Sequence, residues 1–247
     1  MTNNLPKINF KIFTLFPELF PGPLAYSIIG NALEHGLWQY QAINIRDYAS
    51  DQRKTVDDTV YGGSAGMILK PEVVANALEQ NLKNNSSPIY YLSARGKVFN
   101  QSLARQIALQ SQVNFLCARY EGIDQRVLDE FAIEEISLGD FILSGGEIAC
   151  MAMIDAILRN IDGILGCNES LTQESFGNSD TDDYRYLLEY PHYTKPSLWR
   201  NRQVPEILLS GHHQNIANWR KEQAEEFTKK NRPDLYQQYC LLKNNKK

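Results

Sequence analysis

Three times between residues 88 and 158 the chain repeats one pattern: a short apolar run, a polar loop holding glycine, then a stretch with helical spacing. Residues 88–92 lead into Ser93-Ala94-Arg95-Gly96 and a helix near 100–110. Residues 113–117 lead into Arg119-Tyr120-Glu121-Gly122 and a helix near 124–132. Residues 135–143 form the third strand region, with the apolar run Phe141 to Leu143, and end in Ser144-Gly145-Gly146. Behind them Ile148, Met151, Ala152, Ile157 and Leu158 recur at helical spacing, with Asp155 as a polar break. Strand, glycine loop and helix in alternation predict an α/β fold with a parallel sheet. Ligands of such sheets sit at the carboxyl ends of the strands, where these three loops would converge. Gly145-Gly146 lets another group approach the backbone at a helix start. The same pair also suits an ordinary tight turn feeding a core helix.

Upstream, residues 8–15 read as a strand, 24–36 as a helix closed by Gly36, and 38–45 as a second strand. Residues 46–70 form a long polar and glycine-rich segment, which inside a compact domain is usually functional or disordered. Its glycines spell neither the dinucleotide fingerprint nor a P-loop. Pro71 opens a helix that runs to about Lys83. Downstream, residues 166–186 are rich in Asn, Ser, Thr, Gly and Asp and read as a linker. Residues 210–227 predict an amphipathic helix with Ile216, Trp219 and Ala224 on one side. Residues 233–242 add a last helix.

Charge sharpens that division. The net charge of the 247 residues is −4, yet residues 183–247 hold 12 Lys or Arg against 7 Asp or Glu. A net +5 there, against −9 before it, fits a basic C-terminal part that tracks a polyanion; a solvated helical face fits as well. Apolar runs fall far short of a membrane span. The first residues lack the apolar core of a signal peptide. Cys117, Cys150, Cys167 and Cys240 are scattered and read as free thiols, so a protein of the reducing cytoplasm is expected. The adjacent His212 and His213 point in different directions and lack further ligands at metal spacing; no structural metal site is expected.

The sequence resembles the bacterial tRNA (guanine-N1)-methyltransferases of the SPOUT superfamily. The matching stretches are Thr14-Leu15-Phe16-Pro17, Val56-Asp57-Asp58 with Tyr61-Gly62-Gly63, Arg119-Tyr120-Glu121-Gly122-Ile123-Asp124, residues 137–147, Pro191-His192-Tyr193-Thr194, and Leu208-Leu209-Ser210-Gly211. They run in family order through nearly the whole chain. The resemblance implies a trefoil-knotted catalytic domain over residues 1–165, a flexible linker over 166–186, and a small α-helical tRNA-binding domain over 187–247. It implies an obligate homodimer with each site built from both chains. The activity implied is methyl transfer from S-adenosylmethionine to N1 of the guanine immediately 3′ of the tRNA anticodon. A loosely bound magnesium ion is implied as well.

By the same resemblance the cofactor wall comprises Tyr91, Leu92, Ser93 and Gly96; Ala118, Tyr120, Glu121 and Gly122; and Leu138, Gly139, Asp140, Phe141, Ile142, Leu143, Gly145 and Gly146. N1 of guanine carries a proton at neutral pH, so a general base must remove it, and charge then develops towards O6. The resemblance places Glu174 at the base position and Arg159 in the cation role. On spacing alone, Asp155 and Arg159 make an intrahelical ion pair worth about 0.2–0.5 kcal/mol, and Glu174 is a solvated carboxylate. The chain departs from the family pattern where Glu174 replaces the usual Asp, Ala118 a Gly, Val60 a Pro, Ser64 a Gly, Ala94-Arg95 a Pro-Gln, and His212 an Asn. Those departures leave two alternatives in view: an RNA-binding protein of the same fold without catalysis, and a related enzyme with another RNA target.

Overall fold

The computed structural model describes residues 6–63, 65–83, 87–165, 174–177 and 183–245. The chain divides into two compact units, Met1–Leu165 and Gly166–Lys247.

The first unit carries strand β1 (Ile8–Thr14), helix α1 (Ser27–Glu34), β2 (Trp38–Asn44), β3 (Asp57–Thr59), β4 (Met67–Leu69), α2 (Pro71–Asn81), β5 (Ile89–Val98), α3 (Gln101–Ala108), β6 (Gln112–Leu116), α4 (Gln125–Glu130), β7 (Glu134–Ser137) and α5 (Glu147–Leu158). Five strands form one sheet in the order β2-β1-β6-β5-β7, every neighbouring pair parallel. Alternation along each strand sorts the side chains into two cores. Ile8, Phe10 and Ile12, Tyr90 and Leu92, and Val113 and Phe115 meet α1, α3 and α5 on one face. Phe13, Tyr91 and Leu116 meet α2 and α4 on the other. Covering both faces is what allows a parallel sheet to be apolar throughout. Trp38 is fully buried on the first face and donates its Nε1–H to the Ile29 carbonyl at 2.9 Å.

Several boundaries differ from expectation, each for a local reason. The predicted 24–36 helix is a 3₁₀ turn at Gly22–Ala25 followed by α1, because Tyr26 is extended and Ser27 takes a positive φ of 58°. The 46–70 segment is not structureless: β3 and β4 pair as an antiparallel hairpin, anchored by fully buried Val56 and Leu69. Strands of three residues are too short for periodicity to reveal. β5 does not stop at Leu92 but runs on to Val98, both Leu92 and Lys97 pairing with Ile136, so that residues 93–96 bulge out of the ladder. The third strand region is cut to β7. Phe141 to Leu143 form a loop, with Phe141 52% and Ile142 83% exposed; the Ser137 hydroxyl and a Phe141 N–H to Gly139 carbonyl bond turn the chain there instead. The buried stripe of α5 is Ala149, Cys150, Met153, Ile154, Ile157 and Leu158, and the predicted apolar positions Ile148 and Ala152 lie on its exposed face.

The second unit holds a 3₁₀ turn (Asp183–Tyr186), a hairpin of β8 (Leu198–Trp199) and β9 (Arg202–Gln203), and helices α6 (Glu206–Leu209), α7 (His213–Asn231) and α8 (Pro233–Asn245). Leu187, Tyr190, Ala224 and Tyr239 make its core. Of the predicted amphipathic helix only Ala224 is fully buried among the three residues named; Ile216 and Trp219 are partly exposed. Buried Thr228 accepts from Leu188 N–H and donates to the Ala224 carbonyl, tying the entering chain to α7. Cys167 and the predicted linker residues 166–173 and 178–182 lie outside the described residues. No described helix is long and apolar enough to cross a membrane.

Candidate active site

The carboxyl ends of β5, β6 and β7 open into a cleft of about 460 Å³. Three loops wall it, as expected of a parallel sheet. β5 contributes Tyr91 and Leu92 from its ladder and Ser93 from its bulge; the loop after β6 contributes Ala118, Tyr120, Glu121 and Gly122; the loop between β7 and α5 contributes Leu138, Gly139, Phe141, Ile142, Leu143, Gly145 and Gly146. Two predicted wall residues are not in the lining. Gly96 packs its backbone directly on that of Glu135 and Ile136, where any Cβ would collide; its glycine serves the β5–β7 approach. Asp140 is solvent-exposed. The cleft also holds Ile68 from β4, Ile123 and Gln125 at the start of α4, and Ala149 on the first turn of α5. Ile123 belongs to the motif after β6, whereas Ile68, Gln125 and Ala149 lie outside the quoted motifs and are brought in by the assembly of the hairpin and helices against the sheet.

The loop after β6 has the most constrained backbone. Tyr120 takes a φ of 58° and Gly122 one of 108°. A Cβ on Gly122 would lie 2.5 Å from the Tyr91 hydroxyl oxygen, so glycine there satisfies both the positive φ and the close approach. The β3–β4 hairpin clamps this loop: Glu121 N–H donates to the Met67 carbonyl at 2.9 Å, and Leu69 N–H to the Gly122 carbonyl at 3.0 Å. Burial raises the Tyr91 phenol above its ordinary value, and the Glu135 charge adds to the shift while Arg95 opposes it. Arg95 itself meets Glu135 at 2.9 Å and Gln125 at 3.3 Å on the rim.

Beneath the loops lies a buried polar knot. Glu147, first residue of α5, is 1% exposed. Its Oε1 accepts from the fully buried Thr14 hydroxyl at 2.8 Å, and its Oε2 lies 3.1 Å from the Arg119 guanidinium. Arg119 also donates to the Ser144 carbonyl at 3.2 Å and stacks on Phe16, 4.5 Å from the ring centre. A carboxylate at a helix N-terminus is favoured by the dipole. Gly146 N–H donates to the Ala118 carbonyl at 3.2 Å. The glycine pair at the helix start is therefore held against the end of β6 by its own backbone, and hydrogen bonds join the ends of β1 and β6 to the loop before α5. Cys117, under Ala118, is fully buried; burial raises its thiol well above the ordinary value, with Cys150 and Glu147 adding to the shift.

The two residues assigned to proton transfer and charge stabilisation belong to different units. Arg159 caps the far end of α5. At 1.5 Å per residue it lies about 20 Å along the helix from Gly146. Glu174 belongs to the second unit and is partly buried. Among the described residues no group of three or more His, Cys, Asp or Glu side chains is placed to hold a metal ion.

Over residues 8–238 the chain matches the family model described as tRNA (Guanine-1)-methyltransferase TrmD. It is 50% identical over 232 residues to a tRNA (guanine-N(1)-)-methyltransferase of Rhodospirillum rubrum, with 94% of each chain covered. The protein of the same name from Cereibacter sphaeroides is 49% identical over 238 residues, covering 94% of this chain and 93% of its own. That of Rickettsia prowazekii is 47% identical over 229 residues, covering 92% and 97%. A parallel α/β sheet, a three-loop cleft at its carboxyl edge and these full-length likenesses lead to one conclusion: the chain belongs to the tRNA (guanine-1)-methyltransferase family.

Proposed function

We propose that this protein transfers a methyl group from S-adenosylmethionine to N1 of the guanine immediately 3′ of the tRNA anticodon. The observation that carries the reading is the cleft, which gathers fourteen of the sixteen wall residues that the family resemblance implies. The cleft also fits the donor on its own terms. Its volume falls in the range of small-molecule sites. It is lined by residues 118–122 together with Leu138, Phe141, Ile142 and Leu143, so it offers backbone polar groups beside apolar side chains. When bound, S-adenosylmethionine supplies an activated methyl group on a sulfonium.

The chain's own residues then do two things. Glu174 takes the N1 proton of guanine, and the Arg159 guanidinium holds O6 as charge moves onto it. Since Arg159 lies about 20 Å along α5 from Gly146, it serves the cleft of a second copy. The enzyme is a homodimer whose sites are each completed by the partner. Its dimerising surface includes the exposed α5 face with Ile148 and Ala152. Residues 1–165 form the knotted donor-binding domain, residues 166–186 a flexible linker that orders over substrate, and residues 187–247 the helical part that holds tRNA. A magnesium ion is held loosely through carboxylates, water and substrate. The protein works in the cytoplasm.

The test is methyl transfer from labelled S-adenosylmethionine to unmodified tRNA, with the modified position mapped. Wild type is compared with Glu174→Gln. Transfer to that guanine N1, falling at least tenfold in the variant, supports the whole reading. An unaffected variant removes Glu174 as base. Transfer to another nucleotide replaces the target, and no transfer by folded wild type leaves an RNA-binding protein without catalysis.

A further inference from the structure

Within the unit that the reading above gives to tRNA, one exposed hairpin has no role assigned to its individual residues. β8 and β9 pair Leu198 with Gln203 and Trp199 with Arg202, and Val204 N–H extends the ladder to the Ser197 carbonyl at 2.9 Å. The two residues that turn the chain, Arg200 and Asn201, take φ of 47° and 61°. Both positions of such a tight turn require left-handed backbone, for which Asn-Gly is the preferred pair. An arginine held there is strained, and strain of this kind gathers where a side chain is presented for use.

What the turn presents is a stacked pair on open surface. The Arg200 guanidinium lies 4.9 Å from the centre of the Trp199 ring, yet the indole keeps 57% of its surface exposed and Leu198 keeps 58%. Every residue from His192 to Gln203 is exposed. From Tyr190 to Pro205 there are three cations, Lys195, Arg200 and Arg202, and not one Asp or Glu.

We propose that this hairpin is a nucleic-acid contact: Trp199 stacks an unpaired base of the tRNA substrate, and Arg200 and Arg202 hold the adjoining phosphates. The inference rests on the reading of the substrate as tRNA. A flat π-face beside fixed cations is the surface on which unpaired RNA bases are read, since every base offers a face and every linkage a phosphate. A second copy of this chain fits less well. A twofold pairing of the hairpin with itself would set Arg200 and Arg202 against their own kind.

The experiment measures the affinity of the full-length protein for an unmodified tRNA transcript, alongside calorimetric binding of S-adenosylmethionine and sedimentation without RNA. Trp199→Ala is expected to weaken tRNA binding about tenfold, within the range for loss of one base–aromatic stack, and Trp199→Phe no more than about threefold. Donor affinity and sedimentation stay those of wild type. The double change Arg200→Gln with Arg202→Gln is expected to lower the slope of log affinity against log salt by about 1.4, two single-strand phosphates' worth. Wild-type affinity in Trp199→Ala would overturn the proposal while leaving the substrate reading intact. A change in sedimentation of Trp199→Ala without RNA would overturn it too, and would assign the hairpin to contact between copies. Failure of the wild type itself to bind tRNA would overturn both readings together.

Discussion

Glu147 and Arg119 form an ion pair at 3.1 Å in which the carboxylate is 1% exposed and the guanidinium only partly covered. The pair joins the end of β6 to the start of α5, and Thr14 adds the end of β1. Removing one partner of a buried pair leaves the other uncompensated, at a cost of about 3–5 kcal/mol. Arg119 retains some water, so Glu147→Ala is expected at the lower end, about 3 kcal/mol. Glu147→Gln keeps an acceptor for the Thr14 hydroxyl and should lose less. Denaturant unfolding of both variants checks this; equal stability of Glu147→Ala and wild type would contradict the description of the pair.

Gly122 and Tyr91 make a second coupled pair. Gly122→Ala adds a Cβ where φ is 108° and where the Tyr91 hydroxyl stands 2.5 Å away. The left-handed strain alone costs about 1–2 kcal/mol, and the collision adds to it inside the cleft. Donor affinity is expected to fall at least tenfold. Tyr91→Phe removes the colliding oxygen, so the double variant should recover part of the loss. Calorimetric titration across the four proteins measures the coupling directly; simple additivity would mean that the loop relaxes away from Tyr91.

Alkaline stability follows from Cys117. Burial, before any other cause, holds its thiol well above the ordinary thiol range. The folded state therefore holds this proton more tightly than the unfolded state. The associated stability is complete below about pH 8.5, where the thiol is protonated in both states, and is lost as pH rises above it. Raised Tyr91 adds a loss of the same sign at higher pH. The free energy of unfolding should decline from pH 8 to pH 10, and Cys117→Ala should flatten that decline. An unchanged slope in the variant would assign it to other groups.

A site shared between copies predicts complementation. Arg159→Ala keeps its cleft, and Gly122→Ala keeps its Arg159. Each alone should transfer methyl groups at less than about a tenth of the wild-type rate, the scale of losing one positioned charge-stabilising donor. After subunit exchange, the mixed dimer regains one complete site, so activity of the mixture should rise well above the average of the two. No rise on mixing, with exchange verified by mass, would place Arg159 in the cleft of its own chain. Ile148→Arg on the exposed face of α5 is expected to shift sedimentation from dimer towards monomer.

Much of this architecture was legible in the residues. Three strand, loop and helix repeats specify a parallel sheet because apolar runs this short must be buried on both faces, and the polar loops between them must surface at its edges. The positions of Tyr91, Glu121 and Gly145 at one edge follow from that alternation. Other features were not legible, for physical reasons that lie beyond local pattern. Ile148 and Ala152 have core character but face outward, because helix spacing says which residues share a face and not which face meets the sheet. Phe141 to Leu143 read as strand because apolar runs carry no record of whether a ladder partner exists. Gly96 read as a ligand contact, whereas its missing side chain lets two backbones meet.

What the sequence determined by itself was the local alternation of elements, and through it the sheet edge where three loops gather. Tertiary structure alone decided that Thr14 closes one buried polar knot with Arg119 and Glu147, each more than a hundred residues further along the chain. Such a knot depends on where strand ends fall in space, a quantity set by the summed packing of both cores and by no residue's own preference.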